Sequence, residues 1–149
     1  MKRLLLLLPL LLACNPAPQE TVDPIDYSPE PAEEITDWDK LILAMCLTES
    51  EFRPDAVGTQ GDLGLLQIRA IYVEEVNRVS GTHYIHEDAF DIDKSLEMFS
   101  LMQEHYNPGH DIEVALRYHN KAAWYRRRVL DNLEFINRYE EVRNKLILR

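Results

Sequence analysis

The sequence is poor in cysteine and has no long apolar run. Only two of its 149 residues are cysteines, Cys14 and Cys46. The longest apolar stretch, residues 4–12, is too short to span a bilayer as a helix, which takes about 20 residues. No alternation of apolar and polar residues of useful length appears, so half-buried β-strands are not predicted. Internal repeats are also absent from the chain.

The first 13 residues predict a secretory signal peptide. Lys2 and Arg3 precede the apolar stretch, and the small Ala13 stands before Cys14. The letters "LLAC" resemble a bacterial lipobox, which implies that Cys14 becomes a lipidated N-terminus. Each buried methylene of an acyl chain contributes about 0.8 kcal/mol to anchoring. The expected location is therefore a bacterial membrane surface facing the cell wall, the periplasm in a cell with two membranes; a cleaved signal with a chance cysteine is the alternative.

The segment that follows contains no basic side chain. Between residues 15 and 35 lie five prolines and six acidic residues. Such a composition cannot pack a core, and residues 14–35 are predicted to form an acidic, semi-rigid tether. Residues 36–149 are then enough for one compact domain. Cys46 is the only cysteine in that domain, which excludes an internal disulfide, and it is predicted to pack as a small hydrophobic side chain.

Charge is unevenly distributed along the chain. The formal net charge is −10, which argues against nucleic acid as the main partner. Residues 36–120 hold six basic and sixteen acidic residues, whereas residues 121–149 hold eight basic and four acidic ones. The run "YRRRV" at 125–129 predicts a solvated helix face, with contact to anionic wall peptide or lipid head groups as the alternative.

Helical periodicity predicts an all-α domain of about five helices. The first begins at a cap, Thr36 or Asp37, and faces the core with Trp38, Leu41, Ile42 and Met45. The others are predicted over about residues 65–79, closed by Gly81, then 91–106, then from 111 through "VALRYHN", and finally 123–148. A small hairpin could lie between Arg53 and Asp62.

Glu49 stands where the apolar periodicity of the first helix gives way to "FRPDAVG". Partial shielding from water favours the protonated carboxyl that a general acid needs near neutral pH. In "GDLGLLQI", two glycines three residues apart allow a close turn into the next helix. The first turn of that helix is expected to bring the amide of Gln67 back toward Glu49. Taken alone, the pattern also fits a solvated glutamate and an ordinary turn.

Three ordered motifs together resemble the soluble lytic transglycosylase domain, a relative of goose-type lysozyme. They are Glu-Ser with a Phe and a Pro shortly after, followed by "GDLGLLQI"; "DAFDIDKSLEMFSLM" at 88–102; and "ALRYHN" at 115–120. The resemblance covers about residues 41–120. It implies a lysozyme-like helical fold.

The resemblance also implies roles for single residues. Glu49 matches the catalytic acid, and Ser50 matches the serine that helps to hold its carboxyl. The block lining the sugar cleft is matched by Gly64, Leu65 and Gln67, with Leu66 in place of the more usual Met.

The last motif departs from the family pattern. Asn120 matches the asparagine of that motif, but His119 stands in the usual position of a tyrosine and Tyr118 lies one residue earlier. Either ring could face the acid. Lys121 replaces a small residue that usually follows the asparagine.

The activity implied by the resemblance is cleavage of peptidoglycan between N-acetylmuramic acid and N-acetylglucosamine. Glu49 would act first as acid and then as base, leaving a 1,6-anhydro ring. A lysozyme-type hydrolase using Asp62 or Glu51 is one alternative, and a non-catalytic wall-binding or assembly lipoprotein is another. No cofactor is implied. No metal site is predicted either, because the five histidines lack a zinc-type pattern of companion ligands (His83, His86, His105, His110 and His119).

Overall fold

The computed structural model describes residues 35–147, which form five α-helices and a short 3-10 helix. The elements are α1 (Asp37–Ser50), α2 (Ala70–Ser80), the 3-10 helix (His86–Phe90), α3 (Ile92–Tyr106), α4 (Ile112–His119) and α5 (Ala123–Ile147). Within this range only isolated β-bridges occur, and the all-α prediction is confirmed. None of the helices described is both long and apolar enough to cross a bilayer. The predictions for the signal peptide, Cys14 and the tether up to residue 34 lie outside the described residues.

A capping box starts α1 at Thr36. The Thr36 hydroxyl accepts a hydrogen bond from the backbone N–H of Asp39 at 3.2 Å, and the Asp39 carboxylate accepts the N–H of Thr36 at 2.9 Å. Such a cap is typically worth about 1 kcal/mol. As predicted, Leu41 and Met45 are fully buried. Trp38 and Ile42 are partly buried against the same core, so one face of α1 forms the centre of the domain.

Helix α5 packs antiparallel to α1. The Asn132 side-chain amide donates to the Thr48 hydroxyl at 2.9 Å. Toward the other end of α1, Lys40 and Glu140 form an ion pair at 2.7 Å. From Lys40 to Thr48 the residue number rises along α1, while that of the contacting residue in α5 falls from 140 to 132. The start of α5 therefore lies beside the end of α1, which contains Glu49.

The prediction of a solvated face at 125–129 is wrong for two of its five residues. Tyr125 and Val129 are fully buried, while the three arginines between them are exposed. Residues four apart lie on the same face of a helix, and here that face packs against the core. The arginine run therefore occupies only the outer surface of α5.

Helix α2 begins at Ala70, not near Leu65 as predicted. Leu63 and Ile68 exchange both of their backbone hydrogen bonds, at 3.0 and 2.8 Å. Between them Gln67 has a φ of 48°, which lies outside the helical region. Residues 63–68 are therefore a tight turn, and the possible hairpin before it is reduced to an isolated bridge between Val57 and Leu63.

Candidate active site

Glu49 and His119 meet where α1 and α4 end. Glu49 lies in the last turn of α1, His119 is the last residue of α4, and 3.1 Å separates Nε2 of His119 from Oε1 of Glu49. The His119 side chain is 7% exposed and that of Glu49 is 15% exposed. The carboxyl therefore remains accessible from solvent while its histidine partner is almost enclosed. Electrostatic interactions are stronger in such a place than in bulk water.

Aromatic rings from the other three helices surround His119. Phe99 of α3 and Tyr72 of α2 meet its ring edge-on, at centroid distances of 6.1 and 6.2 Å. Tyr125 of α5 stacks on it at 5.9 Å with an interplanar angle of 30°. Each of the five helices thus contributes one side chain to the site. The arrangement exists only when all five helices are packed.

The surroundings of His119 favour one tautomer of its ring. Nδ1 is buried and has no hydrogen-bond partner among residues 35–147. A proton placed there would be an unpaired buried donor, which costs free energy. A proton on Nε2 instead donates to Oε1 of Glu49. This hydrogen bond occupies Oε1 only, so His119 can hold the carboxyl both when Oε2 carries a proton and when it does not.

Two phenols lie beside this pair. Tyr125 is fully buried, and burial together with the negative charge of Glu49 raises the pKa of its phenol well above the ordinary value. Burial likewise raises the pKa of Tyr72. In the described part of the chain neither hydroxyl has a hydrogen-bond partner with good geometry. Both phenols therefore stay protonated, and the Tyr125 hydroxyl lies close enough to the Glu49 carboxylate to interact with it.

Ser50 acts on Glu49 only through the backbone. Its hydroxyl lies 2.8 Å from the carbonyl oxygen of Leu65 and 3.3 Å from that of Cys46. The single hydroxyl proton points to these carbonyls, and no hydrogen bond joins Ser50 to the Glu49 carboxyl. Ser50 therefore fastens the end of α1 to the turn at residues 63–68. Any help that Ser50 gives in holding the Glu49 carboxyl, as the resemblance implied, therefore comes through the backbone.

Gln67 fixes the loop between α1 and α2. Its side-chain amide donates to the carbonyl oxygens of Gly64 at 2.9 Å and Ala56 at 3.3 Å. Both amide protons are engaged in this way, and no hydrogen bond to Glu49 is present. Gln67 therefore braces the loop, and it does not lie in the first turn of a helix as expected.

Gly64 allows this loop to lie against the 3-10 helix. Its φ is 73°, and a Cβ atom at this position would overlap the backbone carbonyl of Ala89. Only glycine fits both conditions. The next residue, Leu65, is buried at 8% exposure and supplies the carbonyl that Ser50 binds.

The rings at 118 and 119 point in different directions. Tyr118 is 48% exposed and stacks on Tyr106 at 5.2 Å. His119 contacts Glu49 instead. The next residue, Asn120, ends α4 and accepts the backbone N–H of Ala122 at 3.0 Å, which fixes the short link to α5.

The two acids considered as hydrolytic partners have other surroundings. Asp62 pairs with Arg69 at 3.4 Å. Glu51 is an exposed residue with a φ of 55° that caps the end of α1. Neither is joined to Glu49 by a hydrogen bond or shared cation. Within the described range, no three His, Cys, Asp or Glu side chains converge as metal ligands would.

The sequence motifs did not reveal Tyr72, Phe99 or Tyr125 as neighbours of the site. Each lies on a different helix from Glu49, and only tertiary packing brings them together. The sequence does contain a signal that Tyr125 is buried, because it stands four residues before Val129 and begins an apolar stripe along α5. The three arginines between them instead suggest a solvated face.

The chain was compared with models of known families. Residues 26–123 match the family model described as the transglycosylase SLT domain. The matched segment includes Glu49, the loop with Gly64 and Gln67, and the end of α4 with His119 and Asn120. Neither curated proteins nor solved structures gave a match to the chain.

Proposed function

The chain belongs to the transglycosylase SLT domain family, and we propose that it is a peptidoglycan lytic transglycosylase with Glu49 as the catalytic residue. The bond cleaved is the β-1,4 linkage between N-acetylmuramic acid and N-acetylglucosamine. The observation that carries the proposal is the contact of Glu49 with His119 at 3.1 Å. A solvent-reachable carboxyl held by a nearly buried donor is suited to proton transfer.

In the first step the protonated Oε2 of Glu49 donates its proton to the glycosidic oxygen. The C–O bond breaks as positive charge develops at the anomeric carbon of the muramic acid. During this step Nε2–H of His119 continues to donate to Oε1, which keeps the carboxyl plane fixed. The acetamido group of the substrate stabilises the cationic carbon.

In the second step the ionised Glu49 acts as a base. It removes the proton of the 6-hydroxyl of the same sugar, and the oxygen attacks the anomeric carbon to close the 1,6-anhydro ring. The carboxyl regains its proton and the cycle can begin again. One carboxyl therefore serves both steps, whereas glycosidases that use water commonly need two.

The alternatives receive less support. A hydrolase would need a second acid, yet Asp62 is engaged by Arg69 and Glu51 is an exposed cap. A module that only binds glycan has no need of a proton donor. The enclosed pairing of Glu49 with an imidazole, ringed by two phenols, favours catalysis over binding alone.

The test is a substitution of Glu49→Gln in the full chain, assayed on purified peptidoglycan. The amide has nearly the same shape but cannot donate a proton, and general acid catalysis contributes roughly 100- to 10,000-fold. We expect at least about a 100-fold loss of rate with an unchanged circular dichroism spectrum. Glu51→Gln is the matched control and should retain the wild-type rate. A fully active Glu49→Gln enzyme would remove this residue from the mechanism, and an inactive Asp62→Asn enzyme would favour the hydrolase.

We also propose that Cys14 carries a lipid that holds the enzyme at a membrane facing the cell wall. The proposal rests on the signal-like sequence before Cys14. Cys14→Ala should move the protein from the membrane fraction to the soluble fraction. If the variant stays with the membrane after a high-salt wash, the anchor lies elsewhere.

A further inference from the structure

Helix α5 has a second apolar face, which points away from the core. Five of its large apolar side chains are more than half exposed, with exposed fractions from 52% to 67%. Successive members are eleven, four, three and four residues apart, so all five lie on one face of the helix. This face, the α5 stripe, consists of Trp124, Phe135, Tyr139, Val142 and Leu146.

Apolar surface continues from the α5 stripe toward α1. Phe135 and Tyr139 line a groove of about 310 Å³ between the two helices. The side chains of Leu43, Ile35 and Phe52 also line it, and they are 36–45% exposed. Stripe and groove together hold eight of the fourteen large apolar residues that are exposed in the described range. Single exposed apolar side chains are normal, whereas a large shared patch indicates a surface that binds a partner.

The charged residues beside the α5 stripe are mostly basic. At about 100° per residue, five basic residues of α5 lie within about a quarter turn of the stripe. Asp131 is the one acidic residue of the helix that lies as close. The stripe is therefore bordered by positive charge on a chain whose formal net charge is −10. The five basic residues are Arg127, Arg128, Arg138, Arg143 and Lys145.

These flanking cations are accessible to a partner. Among residues 35–147, no ion pair involves Arg127 or Arg128. Arg138, Arg143 and Lys145 pair with acidic residues three or four positions earlier on the helix, but their own side chains are 44–72% exposed. Ion pairs at such exposure contribute little to stability. The cations can therefore exchange these partners for anions outside the protein.

We propose that the α5 stripe binds an anionic lipid bilayer, with its apolar side chains between the head groups and its flanking cations on lipid phosphates. An apolar helix face bordered by basic side chains is typical of helices that lie in a membrane interface. A second copy of this chain fits less well, because two such faces packed together would bring their flanking cations against each other. The choice of a bilayer also rests on the proposed lipid at Cys14, which would keep the chain beside one.

This contact should be reversible and sensitive to salt. Each lysine or arginine near an anionic surface strengthens binding by about 5-fold, and dissolved salt screens that attraction. A high-salt wash should therefore release a chain that is held by the α5 stripe alone. Acyl chains on Cys14 would survive the same wash, so the two modes of attachment are separable.

The first test follows Trp124 in the full Cys14→Ala chain. Its vesicles contain phosphatidylcholine with brominated acyl chains, with or without phosphatidylglycerol, and bromine quenches a tryptophan that enters the bilayer. The only other tryptophan, Trp38, is partly buried against the core, and residues 1–34 contain none. We expect strong quenching by the anionic vesicles and much weaker quenching by the neutral ones. Trp124→Phe should abolish the difference.

The second test compares variants in the same Cys14→Ala chain at a fixed, limiting amount of anionic lipid. Arg127→Gln/Arg128→Gln removes flanking charge, and Phe135→Ser/Leu146→Ser removes apolar contact. We expect each double variant to reduce the quenching about 10-fold. Ile71→Ser is the matched control, because Ile71 is 69% exposed on α2, and it should behave like the wild type. Circular dichroism checks the fold of every variant.

Several results would overturn the proposal. Equal quenching by neutral and anionic vesicles would do so, as would unchanged quenching in both double variants. If ultracentrifugation shows a wild-type dimer that Phe135→Ser/Leu146→Ser converts to a monomer, a second copy covers the stripe instead of a bilayer. A stripe that fails to bind vesicles would leave the proposed lipid on Cys14 unaffected, because fractionation of Cys14→Ala tests that lipid separately.

Discussion

Nε2 of His119, at the end of α4, lies 3.1 Å from Oε1 of Glu49, at the end of α1. The two side chains form one hydrogen-bonded pair. A tyrosine in this position would supply a comparable O–H donor without a change of charge near neutral pH. An imidazole can gain a positive charge in the physiological range. A histidine in this position therefore keeps the hydrogen bond and allows a dependence of activity on pH.

The first prediction concerns that dependence. A second proton on the His119 ring would place a positive charge beside Glu49, which would favour the carboxylate and so weaken a general acid. Any loss of activity from such a charge should appear on the acidic side of the pH–rate profile of the wild type. His119→Tyr keeps a hydrogen-bond donor but cannot gain this charge. The decrease of kcat/KM at acidic pH should therefore occur at a different pH or become smaller in this variant. The measurement is kcat/KM against pH on purified peptidoglycan.

Tyr118→Phe is the control for the pH experiment. Tyr118 stacks on Tyr106 and is half exposed, so its substitution should leave the shape of the profile unchanged. If Tyr118→Phe alters the acidic side and His119→Tyr does not, the assignment of His119 as the partner of the acid is wrong.

A second prediction concerns Gly64 and the loop that Ser50 fastens to α1. In Gly64→Ala the new Cβ would overlap the backbone of Ala89 while the residue is held at positive φ. Overpacking costs about 1–3 kcal/mol and left-handed strain about 1–2 kcal/mol. We expect the free energy of unfolding to drop by about 3 kcal/mol or more, as measured by chemical denaturation.

Gly61→Ala separates the cost of backbone strain from the cost of steric overlap. Gly61 also has a positive φ, of 78°, but a Cβ there would meet no atom within 4 Å. The free energy of unfolding of Gly61→Ala should drop by only about 1–2 kcal/mol, from backbone strain alone. Equal losses in the two variants would show that the 3-10 helix does not press against Gly64.

A third prediction concerns Cys46. This thiol is 2% exposed, and burial raises its pKa to about 12. The thiolate is the reactive species, so the native protein should react with iodoacetamide at pH 8 far more slowly than the denatured protein. The Cys14→Ala chain is used so that only one thiol is counted by mass. Rapid labelling in the absence of denaturant would contradict the buried position.

The bounds of α3 and α4 could be predicted from local signals. Asp91 and Asp111 cap them by accepting backbone N–H groups at 3.0 and 2.8 Å, and side-chain caps of this kind are readable in a sequence. The start of α2 could not be predicted in this way. The pairing of Leu63 with Ile68 overrides the helical propensity of the residues between them, and it depends on how the loop closes.

In the proposed site, too, some features follow from local sequence signals and others depend on tertiary packing. Glu49 and the end of α4 could be located because their motifs have fixed order and spacing. The choice between Tyr118 and His119 could not be made, because a shift of one residue turns a helical side chain by about 100°. The contributions of Tyr72, Phe99 and Tyr125 depend on packing between helices that are far apart in the chain.

The central claim is that Glu49 alone drives both steps, with the sugar's own 6-hydroxyl as the nucleophile. Mass spectrometry of the muropeptides released from purified peptidoglycan by the full chain tests it most directly. We predict products with 1,6-anhydromuramic ends, lighter by one water molecule than hydrolytic products, and none of them from Glu49→Gln. Products that carry reducing ends instead would show that water is the nucleophile and would contradict this mechanism.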